Sequence, residues 1–194
     1  MFKIAVFVSG SGTNFQSILD AIDSGELSLR VEAVISDNAE ARALERAKDK
    51  GIEAYYIERS KDKEAFGNKA LEILGKELDL IVLAGFLSIL QGEILNIYKN
   101  KIINIHPSLI PKFCGKGMYG IKVHEAVLKA GVPVTGCTVH FVNEVIDGGN
   151  IILQKAVEVR EEDTPKSLQQ RVLIEEHKAL IKVIKSFEEG KVIS

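Results

Sequence analysis

Short continuous apolar runs alternate with segments of helical period through the first hundred residues, and this alternation leaves few folds open. Phe2–Val8 and Leu80–Ala84 are apolar at nearly every position, as strands covered on both faces are. Leu29–Ile35, Glu53–Ile57 and Lys101–Ile105 read as further strands. Between them, Asn14–Ser24 places Phe15, Ile18, Leu19 and Ile22 at helical spacing. Ala41–Lys50, Asp62–Leu78 and a short Gly92–Tyr98 segment read as helices. Such alternation calls for parallel strands joined by right-handed crossovers.

After Pro107 the pattern changes. Pro107–Gly120 is a loop punctuated by Pro111, Gly115, Gly117 and Gly120, and Lys122–Ala130 is helical. Val134–Val142 and Ile151–Val159 are strands joined by an Asn143–Asn150 loop, an antiparallel pair at one edge. Thr164 and Pro165 supply an N-cap and a first-turn proline for a helix to about Glu188. The expected fold is α/β: a single-domain, Rossmann-like open twisted sheet, mostly parallel, with an antiparallel edge and helices on both faces. With no linker or repeat, one domain over 1–194 is expected, large enough to bury a sizeable core.

A net charge of −2 gives no electrostatic footprint for nucleic acid. No apolar run approaches a membrane span, and Met1-Phe2-Lys3-Ile4 enters a strand without a signal-peptide layout. Cys114 and Cys137 make no disulfide framework, so a cytoplasmic setting is expected. Four scattered histidines and two cysteines give no zinc spacing, and no metal is expected.

The segment Ile102–Pro111, I-I-N-I-H-P-S-L-I-P, carries the most chemistry. Side chains two apart on a strand share a face, so Asn104 and His106 point together while Ile103 and Ile105 point away. Pro107 holds His106 extended and ends the strand. Two polar groups on an apolar strand need partners, structural or catalytic. Asp147, before Gly148 and Gly149, is either an ordinary Asp-Gly turn or an acid facing His106 that favours the protonated ring.

Ser9-Gly10-Ser11-Gly12-Thr13-Asn14 follows the first strand and opens the first helix, where free amides favour phosphate. The competing reading is a tight turn in which Thr13 and Gln16 form a capping box and satisfy those amides. Phe15 replaces the third glycine of G-x-G-x-x-G, against a dinucleotide. Glu176 has Val172, Leu173, Ala179 and Leu180 as helical neighbours, whereas Glu175 neighbours Arg171 and Lys178. Glu176 is therefore a candidate ligand group, or else a buried structural carboxylate. His140 shares a face with Thr138 and Val142 and reads as buried structure, with support of His106 as the alternative; His124 and His177 receive no role.

N-I-H-P-S-L-I-P, followed by V-H-F-V at Val139–Val142 and D-G-G at Asp147–Gly149, resembles the formyltransferases that use 10-formyltetrahydrofolate. The resemblance runs from Ile4 to about Phe187. Chain length and S-G-S-G-T-N favour the branch acting on glycinamide ribonucleotide in purine synthesis. The resemblance implies direct formyl transfer through a tetrahedral oxyanion, with Asn104, His106 and Asp147 as catalytic groups. It implies Gly12, Thr13, Asn14 and Glu176 as contacts to the ribonucleotide. It implies Lys63, Leu87, Ser88, Ile89, Leu90, Asn104, Asn143, Glu144, Val145, Ile146 and Asp147 around the reduced folate. Residues 1–100 would then form the phosphate-binding half and 101–194 the catalytic and folate-binding half. The implied partners are small molecules only, neither nucleic acid nor membrane, and the implied state is a monomer or weak homodimer. The alternatives are another folate-dependent formyltransferase or hydrolase, or a non-catalytic nucleotide-binding module.

Overall fold

The computed structural model describes residues 1–191; the last three positions of the domain expected over 1–194 (Val192, Ile193 and Ser194) lie outside the described residues. The elements run β1 (Phe2–Val8), α1 (Thr13–Asp23), β2 (Leu29–Ser36), α2 (Arg42–Asp49), β3 (Glu53–Tyr56), α3 (Ala65–Leu74), β4 (Leu80–Leu83), α4 (Ile94–Ile97), β5 (Ile102–His106), α5 (Ile121–Ala130), β6 (Val134–Phe141), β7 (Ile151–Glu158) and α6 (Pro165–Glu188). The strands form one sheet in the order β3-β2-β1-β4-β5-β6-β7. β3 to β5 pair in parallel, while β5–β6 and β6–β7 are antiparallel.

Strand alternation divides the core into two layers. Ile4, Val6 and Val8 of β1 face a cluster shared with α1, α2, α5 and α6. Ala5 and Phe7 face the opposite cluster under α3 and α4. There the Phe7 ring packs edge-on to Phe66 and Phe86 at 6.0 and 5.6 Å. β5 obeys the same rule: Ile103 and Ile105 join the first cluster and Ile102 the second. Asn104 and His106 thus stand on the Ile102 side of the sheet.

α6 starts where the sequence says it should. Thr164 Oγ1 accepts from the Ser167 amide, the Ser167 hydroxyl accepts from the Thr164 amide, and Pro165 occupies the first turn. The helix expected over Asp62–Leu78 is shorter. Asp62 Oδ1 accepts from the Glu64 amide at 2.9 Å and holds a turn, and Gly75 ends the helix at φ +67°. No described helix is long and apolar enough to cross a membrane.

The sheet runs outward in both directions from the β1–β4 pair. Ligands of open α/β sheets bind at such a switch point, beyond the carboxyl ends of the strands. The loops after β1, β4 and β5 all emerge there.

Candidate active site

A cleft of about 550 Å³ opens at that edge. Its walls are the loop after β1, the Leu83–Leu90 segment, the end of β5, the loop before α5, the β6–β7 loop and one face of α6.

At the β1 end, Gly12 is the N-cap of α1, in the left-handed conformation at φ +70°. A Cβ there would lie 2.6 Å from the Ala43 Cβ, so α2 admits only glycine. The capping box expected between Thr13 and Gln16 does not form, because Thr13 lies one position inside the helix. The Gln16 side chain turns outward, donating to Asp20 at 2.8 Å and accepting from Arg46 at 2.5 Å. With no side-chain cap, the first-turn amides face the cleft unclaimed, the arrangement that suits an anion.

Asn14 lies in that first turn. Its Nδ2–H donates to Glu176 Oε2 at 3.0 Å, and its Oδ1 is buried without a partner. Glu176 is 7% exposed. Burial raises its carboxyl above the ordinary carboxylate range, opposed by the Asn14 hydrogen bond. The Asn14–Glu176 pair lines the cleft together with Thr13, Gln169, Gln170 and Leu173.

At the β5 end three expected residues come together. Asn104 and His106 share a strand face, and Asp147 reaches them from the β6–β7 loop. His106 Nδ1 lies 3.8 Å from Asp147 Oδ2. His106 Nε2–H donates to the Phe113 carbonyl at 2.9 Å; a carbonyl only accepts, so this contact fixes the tautomer. Asp147 Oδ2 accepts from the Gly115 amide at 2.8 Å. Asp147 is held left-handed at φ +53°, a conformation that asparagine and aspartate tolerate better than most residues. Gly149 must be glycine, because a Cβ there would lie 1.7 Å from the Phe141 carbonyl oxygen.

His140 is buried, as its place on β6 suggests, and it also joins this group. β5 and β6 pair with Asn104 opposite His140. His140 Nδ1–H donates to the Phe141 carbonyl at 2.8 Å, so Nε2 is free to accept from Asn104 Nδ2–H at 3.1 Å. Burial lowers the His140 pKa, with the Phe141 carbonyl and Asp147 opposing, and favours this neutral ring. Asp147 Oδ1 lies 3.7 Å from His140 Nε2. His124, also in the wall, is pushed down to about 4 by burial and the nearby His106.

The apolar mouth is built from opposite sides. Leu87 and Ile89 are 51% and 52% exposed, and Val145 across the cleft is 64% exposed. Ser88, Leu90, Asn143, Glu144 and Ile146 line the same region. Asn143 Oδ1 accepts from the Val145 amide at 2.9 Å and holds its own loop. The structure does not bring Lys63 to the cleft: it is exposed in the turn before α3, outside the walls. Among the described residues no cluster of three or more His, Cys, Asp or Glu is placed to hold a metal ion.

The formyl transferase family matches residues 2–184. The chain belongs to this family. The family match covers both the β1 loop and the β5–β7 region that together wall the cleft. Among its relatives is the Bacillus subtilis phosphoribosylglycinamide formyltransferase, 39% identical over 95% of this chain and 94% of that protein. The chloroplastic phosphoribosylglycinamide formyltransferase of Arabidopsis thaliana is 39% identical over 98% of this chain. The chain spans 66% of the length of that plant relative. Glycinamide ribonucleotide transformylase 1 from Symbiobacterium toebii superposes with a TM-score of 0.87 at 42% identity, covering 98% of this chain and 89% of that one.

Proposed function

We propose that the cleft transfers the formyl group of 10-formyltetrahydrofolate to the amine of glycinamide ribonucleotide. The observation that carries this reading is the meeting of Asn104, His106 and Asp147 at one end of a cleft whose other end is an uncapped helix start beside Glu176. The phosphate takes the Gly12–Asn14 end, and Glu176 accepts from the ribonucleotide. The folate ring system lies between the apolar walls at Leu87–Leu90 and Asn143–Asp147, where backbone groups read its edge. Residues 1–100 thus supply the phosphate-binding half, and 101–194 the catalytic half and much of the folate contact.

The amine attacks the formyl carbon and a C–N bond forms. The carbonyl oxygen becomes an oxyanion. Asn104 keeps one N–H beyond the one given to His140, and that donor meets the oxyanion. With Nε2–H committed to Phe113, protonation of His106 adds a hydrogen at Nδ1, the nitrogen facing Asp147, and gives a second donor. Collapse breaks the bond between the formyl carbon and the folate nitrogen. One proton leaves the attacking amine and one arrives on the departing nitrogen. Asp147 and His106 are the groups placed to carry them, directly or through one water. The formyl donor is activated by its own chemistry, so no metal is needed. The two free thiols support a cytoplasmic setting, and a monomer or weak homodimer acting on small molecules fits the reading.

The test mixes the protein with both substrates and follows release of the deformylated folate. Release that depends on glycinamide ribonucleotide supports the reading. Equal release with water alone, or release only with methionyl-tRNA, overturns it.

A further inference from the structure

Asp37 follows β2 and is outside the cleft wall, yet it holds that wall in place. Its side chain is fully buried. Oδ2 accepts two hydrogen bonds, from Arg59 Nε at 3.0 Å and from the Ser88 hydroxyl at 2.5 Å, and forms an ion pair with Arg59 Nη2 at 2.9 Å. Oδ1 is buried and has no partner. A buried carboxylate left half-satisfied is costly, and the fold does not need one here for sheet pairing.

What Asp37 does touch is the segment after β4. Ser88 sits between Leu87 and Ile89, the two large apolar residues that stand exposed on the cleft wall. The Leu87 amide donates to Ser9 Oγ at 2.8 Å, so the same segment is tied at two adjacent residues, once from the end of β1 and once from the end of β2. The Ser9 contact fixes backbone only. The Asp37 contact holds the Ser88 side chain, and the residues on either side of it, Leu87 and Ile89, are the ones left exposed on the cleft wall. Arg59 is 57% exposed and compensates the charge from outside.

We propose that Asp37, clamped by Arg59, is a positioning residue for the reduced folate, acting through Ser88 on the Leu87–Ile89 wall. The inference rests on the proposed formyl transfer, because it takes that wall to be the folate side of the cleft. At the ribonucleotide end the Asn14–Glu176 pair is held by its own hydrogen bond, and the β1 loop is held by Asn38, whose Nδ2–H donates to the Ser9 carbonyl at 3.2 Å, rather than by the Asp37 carboxylate. A charge-assisted contact of this kind corresponds to about a tenfold change in an apparent binding constant.

The test compares Asp37→Asn, Arg59→Gln and Arg59→Lys with the parent protein. The Michaelis constant for 10-formyltetrahydrofolate is expected to rise about tenfold in Asp37→Asn and Arg59→Gln. The constant for glycinamide ribonucleotide and kcat stay unchanged, and Arg59→Lys recovers much of the loss. In parallel, the rise in Tm caused by the reduced folate alone shrinks in the first two variants, while that caused by the ribonucleotide alone does not. Loss of kcat and of both affinities together, or an unchanged folate constant, overturns the inference. If Asp37→Asn does not fold, Arg59→Gln decides, because its side chain is on the surface. A parent protein whose Tm does not respond to reduced folate defeats the formyl-transfer reading itself, which is a different result from variants that respond as the parent does.

Discussion

Asn104 donates to His140 Nε2 at 3.1 Å, and His140 can accept only because its Nδ1–H is given to the Phe141 carbonyl. In the proposed mechanism, the amide that meets the oxyanion is thus aimed by a neutral imidazole. His140→Ala removes the acceptor and frees the amide to rotate. Kcat is expected to fall about ten- to a hundredfold, less than loss of an oxyanion donor outright, with little change in either Michaelis constant. Steady-state kinetics on a variant whose circular dichroism matches the parent checks this; an unchanged kcat would remove His140 from the mechanism.

Asp147→Asn separates charge from shape. Asparagine tolerates the left-handed conformation at φ +53°, and its carbonyl oxygen can still accept from the Gly115 amide. The loop should stay in place while the acid is lost. Turnover is expected to drop about 10²–10⁴-fold with an unchanged Tm. Single-turnover rates and thermal melts measure the two sides of that statement.

Glu176 sets stability against binding. Its folded pKa is raised by burial, so the folded state holds a proton more tightly than the unfolded one. Its contribution is therefore lost as pH rises through the folded pKa and regained on acidification. Glu176→Gln keeps the acceptor for Asn14 and deletes the desolvated charge. It is expected to be more stable than the parent by on the order of 1 kcal/mol at pH 8, with the gap closing as pH falls. Its Michaelis constant for glycinamide ribonucleotide should rise. Melts across pH, with kinetics at pH 8, read both effects.

Three histidines slope the other way. His124, His140 and His177 all have lowered pKa values, so the unfolded chain takes up protons first as pH falls below about 6.5. Stability that they leave intact at neutral pH is lost on acidification, for His124 down to about 4. Urea midpoints between pH 7 and 4 should fall, and His124→Gln should flatten part of that fall. A midpoint slope identical to the parent's would contradict the assignment.

Gly149→Ala brings a methyl against the Phe141 carbonyl oxygen. The clash needs backbone movement in the β6–β7 loop and is expected to cost about 1–3 kcal/mol. Because the same loop carries Asp147, kcat should fall along with the Tm. Denaturant titration and kinetics on one preparation test the coupling.

Much of this was legible in local pattern. The bounds of β1 follow from a nearly continuous apolar run, and the start of α6 follows from Thr164 and Pro165. Period-two spacing put Asn104 and His106 on one face, and the apolar stripe around Glu176 announced a buried carboxylate. What local pattern did not show depended on distant partners. Nothing near His140 says that β6 pairs with β5 in the register that sets it opposite Asn104. The Thr13–Gln16 capping pattern was present but went unused, because the left-handed Gly12 starts the helix one residue earlier than that box requires. Lys63 was matched by position along the chain, and position does not say where a side chain reaches.

Phe113 and Asp147 are two of the three described non-glycine residues with left-handed backbones, and they meet around His106. The Phe113 carbonyl holds one ring nitrogen, and the Gly115 amide, two residues on, holds the acid facing the other. A single short stretch of main chain therefore has a hand on both the imidazole and the carboxyl group that faces it. Tugging that stretch out of line would idle the two together, so the proton circuit proposed for this cleft would open and close as one piece.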